Sequence, residues 1–554
     1  MVETLNTPNA EPASKGFLGW VERTGNRLPD PVFIFFYLIA ALIVISILAG
    51  LFGVSAVHPT QIDEAGNPRL VEALSLLDAE NIRRLWVDMP TTFTHFHPLG
   101  YVLVVMLGAG VAERSGLFAS AIRGAVRNAP TALLTPLVAL VAMLSNHAAD
   151  AGYVVMIPLA AIIFASAGRH PLAGIAAAFA GVSGGFSANL APGQLDALLF
   201  GITETAYTAA DIDAGWTVNI AGNTYFIAAL LLVYLPVIWL VTDRIIEPRL
   251  GKWTPDPGAD MASYGGEDAE LTDAQLAGLG RAGLAVLAVC AAWAYMAFGD
   301  ALPFNRVPFL EWLHMEAPPL RITGAEAEGL AWYEALSPFF RSLVAGFLIL
   351  FLAAGWAYGA AAGTITSHRD LVSMMSESMK DMGYYLVLAF AAAHFVAMFG
   401  WSNLGLITAV HGADAIKASG LPLPIVLGLI VLFTGLLNLF VGSASAKWAL
   451  LAPVLVPMLM LLGISPEAAT AAYRVGDGAT NIITPLMVYF PLILVFAQRW
   501  KGDFGLGSLT AMMIPYSVWL LVSGVILMMI WIFAGIPLGP GASVELVLPS
   551  SAAP

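Results

Sequence analysis

The chain has 554 residues, of which 58% are hydrophobic and only 11% charged. A soluble protein carries roughly 25% charged residues, so this composition excludes an ordinary soluble fold and requires a polytopic membrane protein. The net charge of −14 argues against nucleic acid as a partner, and the single cysteine, Cys290, excludes a disulfide framework or a cysteine metal site.

The first 30 residues carry Lys15, Arg23 and Arg27 without the short apolar core of a signal peptide, so residues 1–30 read as a cytoplasmic tail. Apolar runs long enough to span a bilayer, roughly 20 residues each, follow at about 31–53, 95–112, 222–243, 283–299, 343–363, 384–400 and 509–537. Two longer runs, 172–201 and 466–498, are broken near the middle by Asn and Pro and read as discontinuous helices. Two more, 131–168 and 424–463, are interrupted by Ser145-Asn146-His147 and by Gly442-Ser443-Ala444-Ser445. Each of these reads as a re-entrant hairpin with a polar tip, because non-helical backbone at that depth must face protein or water. The expected fold is therefore an all-α polytopic membrane protein with nine transmembrane helices and two re-entrant hairpins.

This divides the chain into a first half, 31–243, a cytoplasmic polar loop, 244–282, a second half, 283–537, and a C-terminal tail, 538–554. The loop 244–282 is acidic and is expected to hold a short helix. His368 to Asp381 is amphipathic, with Met374, Met375 and Met379 on one side, and belongs either at the lipid interface or against a partner helix.

Basic residues test the topology. With the N-terminus inside, fifteen of the 24 Lys and Arg fall on inside segments and seven outside, while Lys447 and Arg474 remain within the membrane. The first hairpin then enters from the cytoplasm, between Arg127 and Arg169, and the second from outside, between Lys417 and Pro466.

An internal repeat supports this inversion. An offset of 295 residues places Pro158 on Pro453, Pro171 on Pro466, Asp150 on Ser445 and Tyr153 on Trp448. With about three residues of slippage, Ser187-Ala188-Asn189 falls near Thr480-Asn481. Inverted repeats with broken helices are the recurrent plan of secondary transporters, whose substrate and coupling-ion sites lie at the midplane between the repeats.

The residues with chemistry cluster in these two modules. Ser145, Asn146, Ser187 and Asn189 in the first, with Ser443, Ser445, Thr480, Asn481 and Thr484 in the second, either supply oxygen ligands to a hard cation such as sodium or cap half-helices. Asp150, Asp196 and Asp477 either hold a cation or carry a proton. Arg474, three residues before Asp477, either pairs with it or takes a substrate carboxylate. A charge at bilayer depth costs roughly 2.5–3.5 kcal/mol on insertion scales unless paired or wet, which marks Lys447, Arg474 and Asp477 as parts of a site. Trp448 and Tyr153 either stack on an aromatic substrate or pack the hairpin bases, and His147 and His394 read as packed, hydrogen-bonded histidines rather than proton relays. Gly181-Val182-Ser183-Gly184 has the form of an intramembrane serine protease motif, but in a chain with 53 glycines it is better explained by close helix packing. A channel is the other rival class.

Three segments, GRHPLAGIAAAFAGVSGGFSANL (168–190), GSASAKWALLAPVLVPMLML (442–461) and AAYRVGDGATNIITPLM (471–487), resemble the signature segments of the p-aminobenzoyl-glutamate transporter family. The likeness runs over most of residues 15–540. It implies a homodimer in the bacterial inner membrane with an ion-transporter-type fold of nine helices and two hairpins. It also implies transport of p-aminobenzoyl-glutamate and related folate-pathway compounds, with sulfonamide antimetabolite efflux in some members. The family's functional positions correspond to Asp196, Ser445, Trp448, Pro466, Arg474, Asp477 and Pro485. Lys447 stands where the family pattern has an uncharged amide. The resulting expectation is an aromatic carboxylate carried by Trp448 and Arg474, coupled to sodium or a proton. The expected cation ligands are Ser145, Asn146, Asn189, Ser443, Asn481 and Asp477, with no cofactor and membrane lipid as the surroundings.

Overall fold

The computed structural model describes residues 30–62, 67–126, 130, 133–148, 152–212, 214–254, 271–301, 315, 317–484 and 486–548. Asp150 and Pro485 lie outside the described residues.

Helices occupy every apolar run. The single runs form α1 (Pro31–Leu51), α2 (His97–Arg114), α3 (Leu117–Val126), α4 (Leu134–Leu144), α5 (Ile157–Ser166), α6 (Pro171–Phe179), α7 (Gln194–Ala210) and α8 (Thr224–Val241) in the first half. The second half supplies α9 (Asp273–Phe298), α10 (Leu343–Ala362), α11 (His368–Asp381), α12 (Gly383–Trp401), α13 (Leu404–Ser419), α14 (Leu423–Asn438), α15 (Ala444–Met460), α16 (Pro466–Asn481), α17 (Phe490–Gln498) and α18 (Leu506–Phe533). Among the described residues six helices are long and apolar enough to cross a membrane, and a seventh crossing follows if α2 and α3, bent by 65° at their junction, form one span. By contrast α4, α5, α6, α14 and α15 are apolar but fall short of the roughly 20 residues a crossing needs.

Local chemistry sets the helix boundaries. Asp30 caps α1 through the Val32 amide, with Pro31 at the first turn, where its missing N–H costs nothing. Thr272 and Gln275 form a reciprocal capping box at the start of α9. This helix begins ten residues before the apolar run read from sequence, because its first turns are polar and carry no hydropathy signal. Ser465 caps α16 through the Ala468 amide and Pro466 follows it, so Pro466 is buried as a helix-starting residue.

One feature departs from an all-helical architecture. Ser55–Ile62 and Pro68–Glu72 pair as a two-stranded antiparallel sheet, followed by the short helices Ala79–Val87 and Met89–Thr94. Thr60, Val57 and Val71 favour a pleated surface, but Pro59 and Pro68 obscured the pattern in sequence.

The two modules share one packing device. Gly181, in the turn continuing α6, lies so close to α4 that a Cβ there would come within 2.6 Å of Ala142 Cβ and 3.0 Å of the Ala139 carbonyl. Gly476 sits against α14 in the same way, where a Cβ would come within 2.2 Å of the Val431 carbonyl and of Thr434 Oγ1. The two glycines are 295 residues apart (476 − 181), the offset of the sequence repeat. In each module the glycine therefore presses its helix onto a short apolar one, the end of α6 onto α4 and α16 onto α14, as small residues permit inside membranes. The amphipathic α11 packs on α2, where Ser378 donates to the Met106 carbonyl and Arg114 is paired with Glu377 and Asp381. It thus contacts a neighbouring helix of its own chain.

Candidate functional site

Each module has a polar tip, a turn after α4 in the first and after α14 in the second, that rests on a gap between later helices of the same module. The first tip is a short 3-10 turn, Ser145–Ala148, closing α4. Its His147 ring bonds the Ala191 carbonyl at 3.1 Å and lies against Gly193, in the gap between α6 and α7. The second tip, at Phe440–Ser443, places Gly442 where a Cβ would come within 2.5 Å of the Leu486 carbonyl, in the gap between α16 and α17. The two gaps also approach each other, since Gly478 of α16 packs against the Gly184 carbonyl and Ser187. Tyr153 of the first hairpin stacks on Tyr489 of the second break, with ring centroids 4.3 Å apart and planes 10° from parallel. The segments singled out by sequence thus meet in space.

Two buried ion pairs hold this junction. Arg474 and Asp477 share a helix three residues apart, yet they do not pair with each other. Arg474 Nη1 donates to Asp196 Oδ1 at 2.5 Å, so an α16 cation is bound to the carboxylate at the start of α7. The other oxygen of Asp196 accepts from the amide of Gly193, the N-cap residue, at 2.8 Å, so Asp196 closes the first turn of that helix from its third position. Asp477 Oδ1 is paired instead with Lys447 of α15, whose ammonium also donates to Asn438 Oδ1 at the end of α14. Asn438 Nδ2 bonds the Asp477 carbonyl, Thr480 Oγ1 and Asn481 Oδ1 at 2.7, 2.9 and 2.8 Å. All four charged side chains are no more than 3% exposed.

Such pairs are costly to place and more costly to break. Removing one member of a buried pair leaves an uncompensated charge worth about 3–5 kcal/mol. The pairing is also incomplete in an informative way. Nε and Nη2 of Arg474 have no hydrogen-bond partner among the described residues, and neither does Asp477 Oδ2. An unsatisfied Nε–Nη2 edge is the face of a guanidinium that binds a carboxylate with two parallel hydrogen bonds.

The aromatic residues of the site are packed. Trp448 is fully buried, stacks on Tyr473 at 4.7 Å and 26°, and donates its indole N–H to Thr203 Oγ1 at 2.9 Å. Thr203 in turn meets Thr470 at 3.0 Å, so this cluster fastens α7 to α15 and α16. In this conformation Trp448 therefore presents no open face to a ligand. Tyr153, stacked on Tyr489, lines a cavity of about 270 Å³ with Asn146, His147, Phe186, Asn189 and Asp196.

The oxygens expected to hold a cation separate into two groups. In the first module, Ser187 Oγ and Asn189 Oδ1 are buried without a partner among the described residues, and Asn146, whose amide donates to the Met143 carbonyl, lines the same cavity as Asn189. The Ser145 hydroxyl donates to the Ala142 carbonyl at 2.7 Å. These orphaned oxygens fit a hard cation. In the second module Ser443 caps α15 through the Ala446 amide and lies 3.3 Å from Ser445 Oγ, while Asn481 and Asp477 already serve Asn438 and Lys447. Among the described residues, no group of three or more His, Cys, Asp or Glu could hold a metal ion.

Sequence reasoning missed Asn438, Thr203, Thr470 and Tyr473, all single polar groups inside apolar or small-residue helices. It also missed Glu467, which is 4% exposed and accepts from the Trp216 indole N–H at 2.8 Å. The protease reading finds no geometry here. Ser183 is buried with its hydroxyl donating to Met487 Sδ, His147 bonds the Ala191 carbonyl and His394 bonds the Phe390 carbonyl.

Comparison with known proteins agrees with this architecture. The p-aminobenzoyl-glutamate transport protein of Escherichia coli K12 is 37% identical over 524 residues, spanning 94% of this chain and 96% of that protein. The crystal structure of the YdaH transporter of Alcanivorax borkumensis, described as having an unusual topology, superposes with a TM-score of 0.81 at 40% identity, covering 92% of this chain and all of that one. MtrF of Neisseria gonorrhoeae, described as illuminating a class of antimetabolite efflux pumps, superposes with a TM-score of 0.84 at 40% identity, covering 95% of this chain and all of that one. The AbgT transporter family matches residues 16–308 and 315–546. With several helices long and apolar enough to cross a membrane and a family match running over both halves of the chain, the protein is a multi-pass membrane transporter and belongs to the AbgT family.

Proposed function

We propose that this protein is a secondary active transporter of p-aminobenzoyl-glutamate or related folate-pathway compounds, and that sulfonamide antimetabolites are among the molecules it exports. One observation carries the reading: a fully buried arginine at the junction of two repeated modules keeps its Nε–Nη2 edge unpaired. That edge accepts a substrate carboxylate, while Tyr153 in the adjoining cavity offers an aromatic surface. The names of the E. coli and N. gonorrhoeae relatives support the substrate class.

In this reading α4–α5 and α14–α15 are the re-entrant hairpins of two inverted repeats, and nine helices complete the spans of a homodimer in the bacterial inner membrane. The excess of Lys and Arg on one set of loops supports a cytoplasmic N-terminus. Transport is driven by a sodium or proton gradient, and Ser187, Asn189 and Asn146 supply the oxygens suited to a sodium ion. The substrate site is closed in the conformation described, so binding requires the α7–α16 contact at Asp196 and Arg474 to loosen.

Reconstitution tests this directly. Proteoliposomes should move labelled p-aminobenzoyl-glutamate only under an imposed ion gradient, with saturation; replacing sodium by potassium and collapsing the proton gradient separately identifies the driving ion. Gradient-independent, non-saturating flux would make the protein a channel. Equal transport of a ringless dicarboxylate would replace the aromatic substrate with a dicarboxylate.

A further inference from the structure

The two modules share a plan, yet their polar centres differ in what neutralises them. In the first module Ser187 Oγ and Asn189 Oδ1 are buried with no hydrogen-bond partner among the described residues. In the second, the position enclosed by Asp477 Oδ1 and Asn438 Oδ1 already contains one: the ammonium of Lys447, 1% exposed and bonded to both. Three hydrogen-bond donors on a compact point charge make a lysine head a fair mimic of a small hydrated cation.

We infer that Lys447 is the resident, tethered cation of the second module, filling from within the chain the position that a sodium ion would occupy there. Charge balance supports it. Asp196 is matched by Arg474 and Asp477 by Lys447, so these two ion pairs sum to zero and Asp477 keeps no unmatched charge to draw in a sodium ion. Adding one there would set two positive charges side by side in a dry interior, where repulsion is far stronger than in water. The amide lattice supports it as well, since Asn438 turns its oxygen to Lys447 and its nitrogen to the Asp477 carbonyl, Thr480 and Asn481. With the two N–H groups of its Nδ2 shared among three oxygens, this network is set around a hydrogen-bonding ammonium, and Asn481 Oδ1 is drawn into it.

The inference rests on the transport reading for its importance, but its test requires no substrate. Equilibrium binding of radiolabelled sodium to the purified full-length protein, in detergent and with potassium as the balancing ion, counts sodium ions per protomer. Lys447→Asn should bind one more sodium ion than the wild type, and Lys447→Asn/Asp477→Asn should lose that extra ion. Sodium binding by the wild type should be unchanged, within twofold in affinity, by Asp477→Asn alone. Equal stoichiometry in wild type and a folded Lys447→Asn overturns the inference. So does loss of wild-type sodium binding in Asp477→Asn, an outcome that is decisive even where the lysine variant fails to fold. Failure of p-aminobenzoyl-glutamate transport with these binding results intact would strike the proposed function alone.

Discussion

Arg474 reaches across the repeat boundary to Asp196, 278 residues earlier in the chain, and the 2.5 Å contact between them is the polar joint between α16 and α7. Both carboxylate oxygens of Asp196 are used, one by the guanidinium and one by the Gly193 amide, so the residue holds a helix start and a neighbouring module at once.

Asp196→Ala should therefore destabilise the protein by about 3–5 kcal/mol, because it strands a buried guanidinium. Asp196→Asn retains the cap and should cost less while still abolishing transport. Thermal unfolding in detergent beside transport in proteoliposomes separates the two effects, and wild-type transport by Asp196→Asn would remove this residue from the site.

Arg474→Ala and Asp477→Asn should each eliminate transport in a protein that still inserts and purifies. Arg474→Lys should not restore it, since a lysine lacks the two-pronged edge. Uptake at a substrate level well above the wild-type KM is the measurement; activity in Arg474→Lys close to wild type would show that only charge matters.

Trp448 has its indole enclosed by Tyr473 and Thr203. Trp448→Ala should cost about 3–5 kcal/mol through the cavity it leaves, whereas Trp448→Phe should lose about 1 kcal/mol with its hydrogen bond. Should Trp448→Phe raise the KM for aromatic substrates more than for aliphatic ones at unchanged stability, the ring contacts substrate in another conformation.

Gly476→Ala and Gly181→Ala should each lower the melting temperature, because the added methyl group meets backbone or Cβ atoms of the hairpin arm; about 1–3 kcal/mol is expected for such overpacking. Gly280→Ala, which meets nothing within 4 Å, is the control and should not. Equal melting curves for all three would dissolve the packing argument.

Asp370 caps α11 through Thr366 and Ser367, whose hydroxyls and amides pull its carboxyl down to about 2 from an ordinary value of 3.8. A lowered carboxylate stabilises above its unfolded value and loses that effect as pH falls from 3.8 through 2. Amide exchange over residues 366–372 should stay protected at pH 5, and Asp370→Asn should lose that protection at every pH.

Sequence carried the organisation of this protein further than its bonding. Hydropathy located α1, α2, α8, α10, α12 and α18, and the 295-residue offset anticipated the shared packing of Gly181 and Gly476, because span length and small-residue contacts are written locally. Which charge meets which was not legible. Arg474 lies within reach of Asp477 along its own helix, and only the folded arrangement turns the one toward Asp196 and the other toward Lys447. Asn438 was invisible for the same reason, as a lone amide at the end of an apolar arm acquires meaning from what the next helix brings to it. The sheet at Ser55–Glu72 escaped because prolines mask its alternation.

The seating of each tip on its own module's interruption, His147 over Ala191–Gly193 and Gly442 over Leu486, closes two separate clasps, one within each half of the chain, so that disturbing one leaves the contacts of the other in place.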